Sequence, residues 1–256
     1  MKFITQSRIG TSHNDILALR MVARDLDIEV VSAPQGWRLD LDIVESKDFA
    51  IPYGSQYFCE VIAQQMNLKL LQNPFDWLAK VPKKYTKRQI DFMTLGEAKK
   101  ITETKFIKPA DDKVFDAKVY EAGEFNPPST IDDSYPVLVS EPVTFDLEYR
   151  CFVNPYKVLT WSNYVWYGEL ANPKNYYSTI SDFGPENIDH ENFVENVLSE
   201  ITTVHSVVDV GWIPDKGWAI IETNPVWASG LYGCDPMMAL TVMMNSVEID
   251  HVHNGM

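Results

Sequence analysis

The sequence has too little cysteine to build a covalent scaffold. Cys59, Cys151 and Cys234 form an odd, scattered set with no CxxC spacing. That excludes a disulfide framework and a cysteine-based zinc site, and it fits a reducing compartment. No apolar run approaches the ~20 residues of a membrane span, and the N-terminal MKFITQSR lacks the apolar core of a signal peptide. The expectation is a cytoplasmic protein. Common site signatures are missing too: there is no GxGxxG, no Walker lysine loop and no GxSxG turn. Positive charge is in deficit, with 22 Lys and Arg against 36 Asp and Glu and a formal charge of −14. General affinity for nucleic acid is thereby excluded. The chain contains no internal repeat and no low-complexity segment.

What is present is an ordinary globular composition, 45% hydrophobic and 23% charged over 256 residues, enough for two or three lobes with cores of their own. The charge is unevenly spread. From Lys80 to Lys118 lie 11 of the 22 basic residues and six acids, so this stretch carries +5 and the remainder −19. A basic lobe facing an acidic one can hold a polyanion between them, with metal bridging to the acidic side. For most of these lysines a merely solvated charged face is the better explanation.

Residues 1–79 alternate strand and helix: Lys2–Thr5, a helix capped by Asn14, Glu29–Ser32, Phe49–Ile51 and a helix from Ser55 to Met66. The rhythm predicts a small α/β lobe. Residues 80–135 form a second unit. Asn73-Pro74 predicts a cap for a short helix leading into it. Arg88–Thr94 then reads as a strand, Thr94-Leu-Gly-Glu97 as a capping box, and Lys105–Pro109 and Lys118–Tyr120 as further strands. Residues 136–256 are strand-rich, with Pro136–Ser140, a hairpin of Glu148–Asn154 with Lys157–Tyr164, and a loop from Tyr167 to Pro185 that can cover a site. A helix follows from Asp189 to Ile201, and a Met-rich helix begins at Met237.

The stretch SVVDVGWIPDKGWAIIETN, Ser206–Asn224, is the most informative. Its β-branched and aromatic residues predict two strands around a Pro214–Gly217 turn. Pairing Ile213 with Trp218 puts Asp209 opposite Glu222, and period-2 alternation adds Asn224 to the same face. Facing carboxylates roughly 5 Å apart repel and call for a cation. Two carboxylates and an amide oxygen suit Mg²⁺. The stretch also fits an exposed hairpin with solvated acids.

Other candidates precede it. Lys108 closes the apolar strand KFIKP, where a buried stem can aim its ammonium at phosphate, although a snorkelling surface lysine looks the same. The strand VLVSEP ends in Glu141, and EYRCFV puts Glu148 and Arg150 on one strand face. Acids there can accept from an adenine amino group and from ribose hydroxyls, and the arginine can meet a phosphoryl group. A structural Glu–Arg pair is the alternative. His251 and His253 sit near the C-terminus with no acid–histidine framework around them.

Taken in order, FIKP, SEP-x4-LEYR and D-x12-E-x-N, with the tail ETNPVWASGLYGCDP, resemble the ATP-grasp superfamily and within it the R2K clade. The resemblance runs from about Val81 to Asp235. It implies an α+β fold, an α/β N-terminal lobe followed by a two-lobed ATP-grasp unit with antiparallel sheets. ATP and Mg²⁺ are the implied cofactors. Lys108 is implied at the nucleotide phosphates and adenine edge, Ser140, Glu141 and Pro142 at the adenine hinge, and Glu148 at the ribose. Asp209, Glu222 and Asn224 are implied as metal ligands and Arg150 as the arginine facing the reacting phosphate, with Arg88 and Lys113 completing the basic set. The implied reaction joins a carboxylate to an amine through an acyl phosphate, with peptides or proteins as the substrates the clade suggests. Two alternatives use the same site: an ATP-binding assembly protein without ligase turnover, and an ATP-dependent phosphotransferase. One departure stands out, because the usual glycine-rich phosphate loop is replaced by the glycine-free PADDKVF. Without glycine the backbone cannot come as close to the phosphates, which leaves Lys113 to act by charge.

Overall fold

The computed structural model describes residues 1–6, 13–34, 36–45, 48–111, 113–170 and 189–250. Most of the loop expected at 167–185, and both terminal histidines, lie outside them. The N-terminal region comprises β1 (Lys2–Thr5), α1 (His13–Asp25), β2 (Glu29–Ser32), α2 (Leu41–Glu45), β3 (Ala50–Tyr53), α3 (Gln56–Met66) and β4 (Leu68–Leu70). β1 is central and fully buried, with β2 and β3 parallel on either side. This is the α/β rhythm expected from sequence. Ser55 caps α3 by accepting from the Phe58 amide, and Asn67 ends it in the left-handed conformation at φ 54°. Asn14 lies inside α1, one position after its start, and so is not its cap.

The next region holds α4 (Trp77–Lys80), α5 (Lys83–Thr86), β5 (Ile90–Thr94), α6 (Leu95–Ala98), β6 (Lys105–Pro109), β7 (Lys118–Tyr120) and β8 (Pro136–Ser140). The capping box at Thr94 and Glu97 forms as expected. The four strands make one antiparallel sheet in the order β5-β8-β6-β7. β8 is hydrogen-bonded to both β5 and β6, so this sheet extends past the boundary expected at 135. Asp76, not Asn73, precedes α4. Asn73 is buried instead, donating to Ser206 Oγ and Thr223 Oγ1 and accepting from the Val204 amide at 3.0 Å.

The last region contains β9 (Leu147–Val153), β10 (Val158–Trp166), β11 (Glu169–Leu170), α7 (His190–Glu200), β12 (Ser206–Ile213), β13 (Gly217–Asn224), α8 (Pro236–Met244) and β14 (Val247–Ile249). Five of its strands form an antiparallel sheet in the order β11-β10-β9-β12-β13. Its two faces have different partners, as strand alternation dictates. Tyr149, Cys151, Val208, Val210, Trp218 and Ile220 pack with Val194, Val197 and Leu198 of α7. Phe152 and Val207, on the opposite face, join the core of the N-terminal region. That core also takes in Trp227 and the buried side of α8, and β14 pairs with β4. α8 and β14 thus return to the first lobe.

On the α7 side, His190 is 1% exposed and packs against the rings of Tyr149, Trp161 and Trp218, with centroids 4.4–5.7 Å away. Among the described residues neither ring nitrogen has a hydrogen-bond partner. Burial holds its pKa down at about 4, against an ordinary 6.5. Above 6.5 the ring is neutral in both folded and unfolded chains. As pH falls from 6.5 towards about 4, the unfolded chain takes up a proton that the folded one refuses, so stability drops across that window. His190→Phe should therefore lose less Tm than the wild type between about pH 7 and about pH 4.5. Equal losses in the two proteins would exonerate His190.

Candidate nucleotide and metal site

The β12–β13 hairpin brings its acids together by a route the sequence reading did not foresee. Near the turn the pairs are Ile213 with Gly217, Trp212 with Trp218 and Val210 with Ile220, one residue out of the expected register. A bulge at Ile221 then restores it, and Asp209 faces Glu222 while Val207 faces Asn224. The bulge decides which face the acids use. Trp218 and Ile220 are buried towards α7, and uninterrupted period-2 alternation would send Glu222 and Asn224 to that same apolar side. The extra residue turns them to the face shared by Asp209 and Arg150. A signal was legible in WAIIETN, where buried apolar residues and the acid have the same parity.

β12 is an interior strand, so Asp209 has β9 on its other side and stands opposite Arg150. Arg150 Nε donates to Asp209 Oδ1 at 2.9 Å and Nη2 to Oδ2 at 2.7 Å, while Nη1 donates to the Gly230 carbonyl at 3.0 Å. Its guanidinium lies 4.6 Å from the Tyr232 ring centroid and 5.4 Å from that of Tyr164. Burial would strip Arg150 of charge, but the pair with Asp209 outweighs it and pushes the guanidinium pKa above its ordinary value. Asp209 itself is fully buried.

Glu222 completes the row. One of its oxygens accepts from Asn224 Nδ2 at 2.9 Å and the other pairs with Lys108, which reaches over from β6. The same Asn224 amide donates to Asp209 Oδ2 at 3.2 Å. Burial alone would raise the Glu222 carboxyl; Lys108, Asn224 and Arg150 overcome it and hold the pKa down at about 2. The donor set Asp209, Glu222 and Asn224 is convergent and all hard oxygen once the amide presents its carbonyl. It fits Mg²⁺ as two carboxylates and a carboxamide. Here the chain's own ammonium and guanidinium neutralise the acids, and among the described residues no larger cluster of acids, histidines and cysteines could hold a metal.

Two cavities meet at this row. A pocket of about 190 Å³ is lined by Ile90, Phe106, Val143 and Phe145, with Arg88, Ser140, Glu141 and Glu148 at its polar edge. A cleft of about 1430 Å³ lies on the side of the N-terminal lobe and takes in Asn14, Gln56, Lys113, Arg150, Asn224 and Tyr232. Lys108 and Glu222 line both.

The remaining expected residues are placed as follows. Glu141 donates its amide to the Gln89 carbonyl, and its carboxylate, exposed, accepts from the Gln89 amide at 2.9 Å, which lowers its pKa. Pro142 does not line the pocket. The Glu148 carboxyl is raised by burial, partly offset by the Tyr164 hydroxyl donating at 2.7 Å. Arg88 is buried with its donors on backbone carbonyls, Thr86 and Ile220 from Nη1 and Ile221 from Nη2, and burial pulls its pKa down to about 10. Lys113 follows a loop that is tied to α3 by Gln56 donating to Asp111. Most of the basic stretch is ordinary surface: Lys83, Lys84, Lys99, Lys105 and Lys118 pair with Glu141, Glu200, Asp133, Glu103 and Asp116. Sequence reasoning missed Tyr164, Tyr232, Phe145 and Asn73, whose roles depend on neighbours far along the chain.

A family model for the ATP-grasp domain, R2K clade family 2, matches residues 85–242, more than half of the chain. The chain belongs to this family. Among curated proteins none matches it. The structure is similar to D-alanine–D-alanine ligase from Bacillus anthracis (TM-score 0.47, 11% identity, 96% of this chain and 97% of that one). It is also similar to a RimK domain ATP-grasp protein from Sphaerobacter thermophilus (0.46, 11%, 94% and 99%). A third is macrocyclase MdnC bound with precursor peptide MdnA from Microcystis aeruginosa (0.47, 11%, 96% and 98%). At such identities and TM-scores the likeness bears on neither substrate nor mechanism. The α+β architecture of this R2K-clade ATP-grasp protein rests on its own helices and its antiparallel sheets.

One consequence can be read directly by titration. In Lys108→Met the Glu222 carboxyl loses its counter-ion while its burial stays, so it should titrate well above about 2. A ¹³C-detected side-chain titration checks this; an unchanged value would show that Lys108 is not what holds the acid ionised.

Proposed function

We propose that the protein binds ATP with Mg²⁺ and joins a carboxylate to an amine through an acyl phosphate. The observation that carries this reading is the placement of Lys108 and Glu222 on the wall shared by a small apolar pocket and a wide polar cleft. The small pocket suits an adenosine, with Ser140 and Glu141 as the hinge and Glu148 towards the ribose. The phosphates then run past Lys108 into the cleft, where Lys113 and Arg150 add positive charge. Asp209, Glu222 and Asn224 would hold Mg²⁺, which when bound supplies charge neutralisation at the phosphate oxygens.

In the proposed reaction a carboxylate oxygen of the first substrate attacks the γ-phosphorus and the bond to the ADP oxygen breaks. The amine then attacks the acyl carbon, phosphate leaves, and the amine proton passes to solvent. The chain contributes positioning and fixed charge. Arg150 is held by Asp209, Gly230 and two tyrosine rings, so its charge is fixed before substrate arrives. The large cleft has room for a peptide or protein segment. The glycine-free loop around Lys113 favours a second reading, an ATP-bound interaction protein without turnover.

Calorimetric titration of ATP with and without Mg²⁺, followed by ADP release in the presence of carboxylates and amines, tests both readings. Glu222→Gln should lose Mg²⁺-dependent binding and at least ~100-fold in turnover, with modest change in folding. Asp209→Asn is the poorer probe, because it strands a buried Arg150 and should cost roughly 3–5 kcal/mol of stability. Normal turnover in Glu222→Gln would remove the metal assignment; tight Mg²⁺-dependent binding with no acceptor-dependent ADP release would favour the interaction protein.

A further inference from the structure

We infer that Arg88 is a positioning residue that pins the β13 bulge, and thereby the facing of Glu222 and Asn224 to Asp209, and is not a ligand of the nucleotide phosphates. The inference rests on the metal-site reading above. Arg88 Nη1 donates to the Ile220 carbonyl at 2.9 Å and Nη2 to the Ile221 carbonyl at 3.2 Å, the two carbonyls that flank the extra residue. Nη1 also donates to Thr86 at 3.0 Å, and the Thr86 hydroxyl returns to the Arg88 carbonyl at 2.7 Å, which fixes the arginine's own backbone. The planar guanidinium can bridge two consecutive carbonyls that turn the same way, which a regular strand never presents. It stacks on Phe145 at 5.3 Å.

The space around the bulge is shaped to the same end. A Cβ at Gly211 would come within 2.5 Å of Phe145, 2.8 Å of the Leu147 carbonyl and 2.9 Å of the Ile221 side chain. Gly211 therefore leaves room for the Ile221 side chain that the bulge turns inward. Arg88 thus sits between the small lobe and the acid-bearing strand and sets that strand's register from outside it.

The test compares wild type with Arg88→Lys, which keeps the charge but loses the planar fork. ADP binding is titrated without metal and with Mn²⁺, and hydrogen exchange of the nucleotide-free protein is followed by mass spectrometry. Arg88→Lys should reduce the Mn²⁺-dependent gain in ADP affinity at least ~10-fold, a larger loss than any in the metal-free affinity, to which Arg88 contributes only as part of the small pocket's edge. Exchange should accelerate in residues 217–224 and not in β9 or β10. Arg88→Ala with millimolar guanidinium is the second variant, and guanidinium but not methylammonium should restore slow exchange. A large loss of metal-free ADP affinity with the Mn²⁺ gain intact would make Arg88 a nucleotide ligand and overturn the inference. If the wild type binds no ADP under either condition, the functional reading fails. Exchange then judges Arg88 alone: local acceleration supports the clamp, and unchanged or uniformly raised rates overturn it.

Discussion

One extra residue in a strand is the constraint on which the site depends. β13 has to bury Trp218 and Ile220 against α7 and yet present Glu222 and Asn224 to the opposite face. A regular strand cannot do both, since every second side chain points the same way. The bulge at Ile221 separates the two demands, giving the turn-proximal half of β13 to the core and the distal half to the cleft wall. The rest of the centre is built around the Glu222 and Asn224 that it brings to Asp209.

The first consequence is electrostatic. Asp209 is fully buried in the middle of the sheet and would be costly without a partner, so the bidentate pair with Arg150 is a condition of having an acid there. Glu222 stands beside it at the cleft wall and is neutralised from another sheet by Lys108. The result is a row, Arg150, Asp209, Glu222 and Lys108, in which two acids stand between two cations, each acid has a cation of its own and Asn224 donates to both. The Lys108 end of the row opens onto both cavities, where an anion can compete for the ammonium.

The second consequence concerns how the lobes are joined. α8 and the β14–β4 pair pack on the N-terminal lobe, Tyr53 donates to the Ser229 carbonyl, and Trp227 donates to that of Leu71. The Gly230–Tyr232 segment that contacts Arg150 is therefore anchored from the first lobe. The small lobe reaches the same row through Lys108 and reaches its register through Arg88. Three regions of chain converge on one line of side chains.

Much of this was legible in the sequence. Turn and cap chemistry placed the capping box at Thr94 and the hairpin at 206–224, and the order and spacing of Lys108, Glu141, Glu148, Arg150, Asp209, Glu222 and Asn224 identified the family. These are signals of local stereochemistry and order along the chain, which one dimension carries in full. Tertiary structure alone decided the rest. It put Lys108 on Glu222 across 114 positions, made Asn73 a buried bridge in place of a cap, drew β8 into the small sheet, and turned the register of β13 through a bulge held by Arg88. Each of these depends on which backbone groups and charges meet when sheets pack, and burial then makes an unpaired group too costly to leave. The sequence by itself determined the order and spacing of the charged residues at the cleft; packing decided which of them face one another.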